Sequence, residues 1–155
     1  MRTGSLGAVS RHDDAVERQA LAEVREIYAE LARRPLVRDC QLTTGCCRFQ
    51  LTGKVPHLTK GEALVAARGF KATGRKELPA RADGACPLLH PKTSRCMIYE
   101  ARPFGCRTHF CEAAGGPVAR REVADLIRRL EDIGARLGDP GPRQIEPALR
   151  DVLPK

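Results

Sequence analysis

Cys96-Met97-Ile98-Tyr99-Glu100-Ala101-Arg102-Pro103-Phe104-Gly105-Cys106-Arg107-Thr108-His109-Phe110-Cys111 sets three cysteines and a histidine in one short run without a sustained period. The wider stretch from Cys86 to Gly116 contains Pro87, Pro91 and Pro103 and reads as irregular. Such a segment has to be held by regular elements on either side of it.

Those elements are legible outward from it. From His12 to Arg34, Val16, Ala20, Val24, Ile27, Tyr28 and Leu31 recur every three or four positions, which predicts an amphipathic helix ending near Arg34-Pro35. Cys40 to His57 has no helical period and contains Thr43-Thr44-Gly45, Thr52-Gly53 and Pro56, so it reads as a loop with one short extended piece. Thr59-Lys60-Gly61-Glu62 is a capping-box pattern that opens a second helix over about Lys60–Phe70. Lys71 to Ala85 is polar and basic. Pro117 is placed to open a third helix with Val123, Leu126, Ile127, Leu130, Ile133 and Leu137 on one side and Gly138 at its end. Beyond it, Pro140, Pro142, Pro147 and Pro154 predict a tail with at most one helical turn around Ala148 to Val152.

The predicted fold is a mainly α, small, irregular single domain, in which helices are joined by cysteine-rich loops closed over a metal site. Its expected limits are a flexible N-terminus over 1–10, the cysteine-cluster domain over 11–138 and a C-terminal tail over 139–155. With no Trp and few Phe or Tyr, the core falls to Leu, Val, Ile and Ala, and a metal staple would matter to a chain of this size. The opening residues lack an apolar h-region and no stretch has the length of a membrane span, so a soluble cytoplasmic protein is expected.

All seven cysteines, Cys40, Cys46, Cys47, Cys86, Cys96, Cys106 and Cys111, lie between the first and third helices and none lies on them. Buried thiols used as small core residues would be spread over helical faces as well. An odd count in a reducing compartment fits metal ligation better than a disulfide framework. Soft thiolates select zinc, copper(I) or iron–sulfur clusters over calcium and magnesium, and no Cys-x2-Cys knuckle decides among them. The expected cofactor is therefore zinc or iron, the latter also as an iron–sulfur cluster. One site is expected, and the thiols suffice for two. Cys46, Cys86, Cys96 and Cys106 are the preferred ligands, Cys40 and Cys47 follow, and Cys111 and His109 come last. His12, His57 and His90 are expected to face solvent.

Cys40 with Gly45-Cys46-Cys47, Cys86-Pro87-Leu88-Leu89 and the run from Cys96 to Arg107 together resemble the YkgJ-like cysteine-cluster family, a zinc- or iron-chelating domain. The resemblance covers about Cys40 to Cys111. Many relatives begin Cys-x2-Cys-Gly-x-Cys-Cys, and here Thr43 stands where a second cysteine is expected. Flagellin lysine N-methylases resemble the same pattern, but this chain has no evident room for a methyl-donor domain.

Two other function classes stay open. The formal charge of +8, which four thiolates around a dication would lower to about +6, would suit nucleic acid or an acidic protein. That reading makes the chain a zinc-stapled binding module. A redox or protein-modifying enzyme would need an open metal position or a low-pKa thiol. No Gly-rich phosphate loop, Ser-His-Asp arrangement or His-Glu-x-x-His motif supports catalysis. Arg120, Arg121, Arg128, Arg129 and Arg136 alternate with acids and read as a solvated helix face, and Tyr99, Glu100, Arg102 and Arg107 read as residues that hold their loop together.

Overall fold

The structure, a computed structural model, describes residues 6–36, 47–109 and 114–154. In chain order these form α1 (Leu6–Arg33), α2 (Phe49–Thr52), β1 (His57–Leu58), α3 (Lys60–Ala72), α4 (Phe104–Thr108), α5 (Arg120–Arg136), β2 (Arg143–Gln144) and α6 (Ile145–Val152), with a 3-10 turn over Tyr99–Ala101. The molecule is mainly helical and a small single domain, as the sequence predicts.

Helix α3 separates two apolar clusters. On one side Val65 meets Ala20, Leu21, Val24, Ile27, Tyr28 and Leu31 of α1 and Val123, Leu126, Leu130 and Ile133 of α5. On the other, Ala63, Ala66, Ala67 and Phe70 meet Ile145, Ala148 and Leu149 of α6, together with Ala85, Cys86, Leu88, Leu89 and Ile98 from the cysteine-rich loops. The small residues of α3 allow this crowding. A Cβ on Gly61 would lie 3.0 Å from Val24 of α1, and one on Gly69 would lie 2.7 Å from the Cβ of Ala101.

Gly69→Ala is therefore expected to destabilise the protein. Overpacking costs about 1–3 kcal/mol, and the better helix propensity of alanine returns only up to about 1 kcal/mol of that. The Tm should fall in a thermal melt. An unchanged or raised Tm would mean that the 98–101 turn moves aside freely.

The capping box forms as read: Glu62 Oε2 accepts the Thr59 N–H at 2.9 Å, and the Thr59 hydroxyl accepts the Glu62 N–H at 3.5 Å. Asp139, just past the end of α5, adds a partner that the local pattern does not contain, accepting the Lys60 N–H at 2.7 Å. Its carboxylate thus sits at the positive end of α3. The short antiparallel ladder pairs His57 with Gln144 and Leu58 with Arg143, joining the lead-in of α3 to that of α6.

Three boundaries differ from the sequence reading. Helix α1 begins at Leu6 rather than near His12, because backbone hydrogen bonding continues a helix beyond the stretch over which its apolar residues repeat. Helix α5 begins at Arg120 rather than at Pro117: the Val118 N–H donates to the Thr108 carbonyl at 2.9 Å, which holds this stretch extended until Ala119. Glu122 then accepts the Ala119 N–H at 3.0 Å, half of a capping box, since alanine offers no side-chain oxygen. The proline-rich end carries an eight-residue helix instead of at most one turn. Pro147 lies in its first turn, where the missing N–H would have no helical partner anyway. Ile145, Ala148 and Leu149 form its buried face.

The arginines of α5 behave as a solvated face tied to α1. Arg129 pairs with Glu30 at 2.5 Å, Arg136 pairs with Glu23, and Asp125 holds Arg34. Such exposed pairs orient the helices and contribute little stability each.

Candidate metal centre

Three separate segments bring thiols to one cavity. Cys47 precedes α2, Cys86 follows the basic connection after α3, and Cys106 lies within α4. The Cys86 N–H donates to the Cys47 carbonyl at 2.7 Å, which fixes the first two segments side by side. Cys47, Cys86, Cys106 and His109, the C-terminal cap of α4, all line a cavity of about 140 Å³. Phe49, Val55, Pro56 and Gly105 supply its apolar wall, and Lys54 supplies a cation. Cys86 is buried, whereas Cys47 and Cys106 are half-buried.

Cys96 is not part of that wall. It bridges to Leu89 across a short hairpin in which the Met97 N–H donates to Leu88 at 2.9 Å, and it packs against the α3–α6 cluster. Cys40, Cys46 and Cys111 lie outside the described residues. His12 and His57 are exposed, while His90 is half-buried and accepts backbone N–H groups at its Nδ1.

Two guanidinium groups are electrostatically coupled to the cavity thiols. Arg81 lies within electrostatic reach of Cys86, and Arg107 within that of Cys106. Arg81 is fixed by Asp83 at 2.7 Å and by the Leu89 carbonyl at 2.9 Å, and this pairing holds the Asp83 carboxyl far below the ordinary range. Arg107 lies 4.1 Å over the Tyr28 ring and donates to the carbonyls of Arg102 (2.8 Å) and Glu100 (2.5 Å). It therefore holds its loop together, as read, and also clamps that loop to α1. Burial pulls its pKa down from the usual arginine value.

The helix that carries Cys106 is held by Glu62, which with Thr59 makes up the buried polar residues among the described ones. Glu62 Oε1 accepts the Phe104 N–H at 2.9 Å, capping the first turn of α4, and takes the Tyr28 hydroxyl at 3.4 Å. Its other oxygen serves Thr59. One carboxylate thus joins α1, α3 and the helix that carries Cys106. The sequence signals only the Thr59 half of this, because a capping box is local and the Phe104 contact is not.

A family model for a cysteine pattern written CxxCxxCC, described as a "putative zinc- or iron-chelating domain", matches residues 38–125, more than half of the chain. The chain belongs to this zinc- or iron-chelating family. It is the domain to which the cysteine pattern pointed. Cys40, Cys46 and Cys47 occupy three positions of the family pattern, and Thr43 occupies the fourth. No curated protein and no solved structure matches the chain. Among the described residues no helix is long and apolar enough to cross a membrane.

The donor types around the cavity, thiolate sulfur and imidazole nitrogen, are those that zinc and iron accept. Among the described residues, however, no three or more His, Cys, Asp or Glu form a group that could hold a metal ion. The expected closure of the loops over a metal is thus not displayed by these residues alone, although their donor chemistry fits the family's description.

Proposed function

We propose that this member of the family binds zinc or iron through Cys47, Cys86 and Cys106, with His109 and thiols from Cys40, Cys46 and Cys111 completing the ligand set. The observation that supports this reading most is the convergence of three thiol-bearing segments and His109 on one cavity. Family membership gives the metal class. The cavity is partly open to solvent, which suits a centre with an exchangeable position better than a fully enclosed staple and supports a role in metal handling or electron transfer.

Elemental analysis and an ultraviolet–visible spectrum of protein purified without oxygen test the proposal. Iron with acid-labile sulfide and a broad band near ~400 nm is the result expected for a multi-atom centre. Zinc near one equivalent without a visible band would support binding but exclude a cluster. A folded protein that takes up neither metal would overturn the proposal.

A further inference from the structure

We propose that the surface formed by the end of α3 and the tip of the 88–97 hairpin binds a phosphate group, free or as a monoester, against the adjacent side chains of Arg75 and His90. The argument begins with the protons of one imidazole. His90 Nδ1 lies 3.1 Å from the backbone N–H groups of both Lys92 and Thr93, which can only donate, so Nδ1 is an acceptor. A neutral imidazole carries one N–H, which must therefore sit on Nε2. Yet Nε2 lies 3.3 Å from Nη2 of Arg75, and a guanidinium can only donate. Two donors face each other with no acceptor between them. Moving the proton to Nδ1 only transfers the conflict to the two backbone N–H groups. An oxyanion lying against both groups resolves it, accepting one hydrogen bond from Arg75 and one from His90.

The charge of the surroundings points the same way. Lys71, Arg75, Lys76, Lys92 and Arg95 are all exposed, and among the described residues none of them takes part in a salt bridge. The arginines of the α1–α5 face, by contrast, include several that pair with carboxylates. The acids of residues 71–95 are Glu77 and Asp83, and Asp83 is held by Arg81. The imidazole is also held in place. Its backbone N–H donates to the Arg95 carbonyl at 2.8 Å and its carbonyl accepts the Ser94 N–H at 3.0 Å, with Ser94 in a left-handed conformation (φ 55°) that a non-glycine residue rarely takes.

Phosphate suits this surface because it offers several acceptor oxygens and enough charge for more than one cation. Residues 71–95 contain no Phe, Tyr or Trp on which a nucleobase could stack, and the one imidazole is engaged through both ring nitrogens, so recognition rests on the phosphate group. This inference is independent of the metal centre.

The test is a titration of full-length, histidine-labelled protein followed by 15N resonances of the His90 ring. One arm uses inorganic phosphate and the other glycerol phosphate, both at constant ionic strength set with sodium chloride. Saturable shifts at Nε2 are expected, with a Kd weakened about tenfold or more in Arg75→Gln, since a charge-assisted hydrogen bond is lost. Arg75 is exposed and makes no core contact, so this variant should keep the wild-type Tm. Saturation by inorganic phosphate alone would assign a free anion, and equal or tighter binding of the ester would assign an ester ligand. Shifts that fail to saturate, or a Kd unchanged in Arg75→Gln, would overturn the proposal.

Discussion

Glu62→Ala is expected to lower the free energy of unfolding by about 3–5 kcal/mol, measured by urea denaturation of the metal-free protein. The substitution leaves the N–H groups of Thr59 and Phe104 and the Tyr28 hydroxyl without their acceptor at a buried site. Each orphaned buried donor costs about 1–3 kcal/mol, so three of them consume much of the stability of an ordinary small domain. Metal affinity should fall as well, because the first turn of α4, which carries Cys106, loses its cap. A loss below about 1 kcal/mol would mean that water replaces the carboxylate without strain.

The same residue gives a pH signature. Burial holds the Glu62 carboxyl above its ordinary value of 4.5, and the hydrogen bonds from Thr59, Phe104 and Tyr28 oppose this only in part. The folded state therefore binds the Glu62 proton more tightly than the unfolded state. Its contribution is full below the unfolded value and is lost as pH rises through the folded one. Stability of the wild type should thus decline above pH 4.5 relative to Glu62→Gln, which has no proton to lose. Asp125, held down to about 2 by Arg34, acts in the opposite sense and at lower pH, where its contribution fades as the carboxylate is protonated.

The long helices α1, α3 and α5 were legible because their apolar residues repeat at short range, whereas the short α2, α4 and α6 lie in stretches that read as loop, irregular or tail. Val24, Ile27 and Leu31 announce the buried face of α1, and Thr59 with Glu62 announces the start of α3. The site was legible as a composition but not as an arrangement. Cys86, Cys96 and Cys106 are spaced ten apart and look equivalent in the sequence, yet only Cys86 and Cys106 line the cavity. What separates them is the hairpin around His90, which pairs Cys96 with Leu89 and leaves it outside the lining of the cavity. Lys54 and Arg81 likewise show no pattern that ties them to thiols, since one reaches the cavity and the other couples to Cys86 only through the folded loops.

That difference between equivalent-looking cysteines sets the last expected result. Cys106→Ser should weaken metal binding by more than about a hundredfold in competition with a chelator, while Cys96→Ser should change it by less than about tenfold. Loss of a partner that merely orients a ligand costs about 10–100-fold, so loss of a ligand itself should exceed that range. Cys96 does not line the cavity and is not in the proposed ligand set, and serine keeps the backbone of its hairpin. Its cost should appear instead as a modest drop in Tm, because a hydroxyl replaces a thiol that packs against the core. Equal losses from the two variants would place Cys96 among the ligands and require the hairpin to turn when metal binds. A larger loss from Cys96→Ser would move the centre away from the cavity and remove the main support for the ligand set proposed for it.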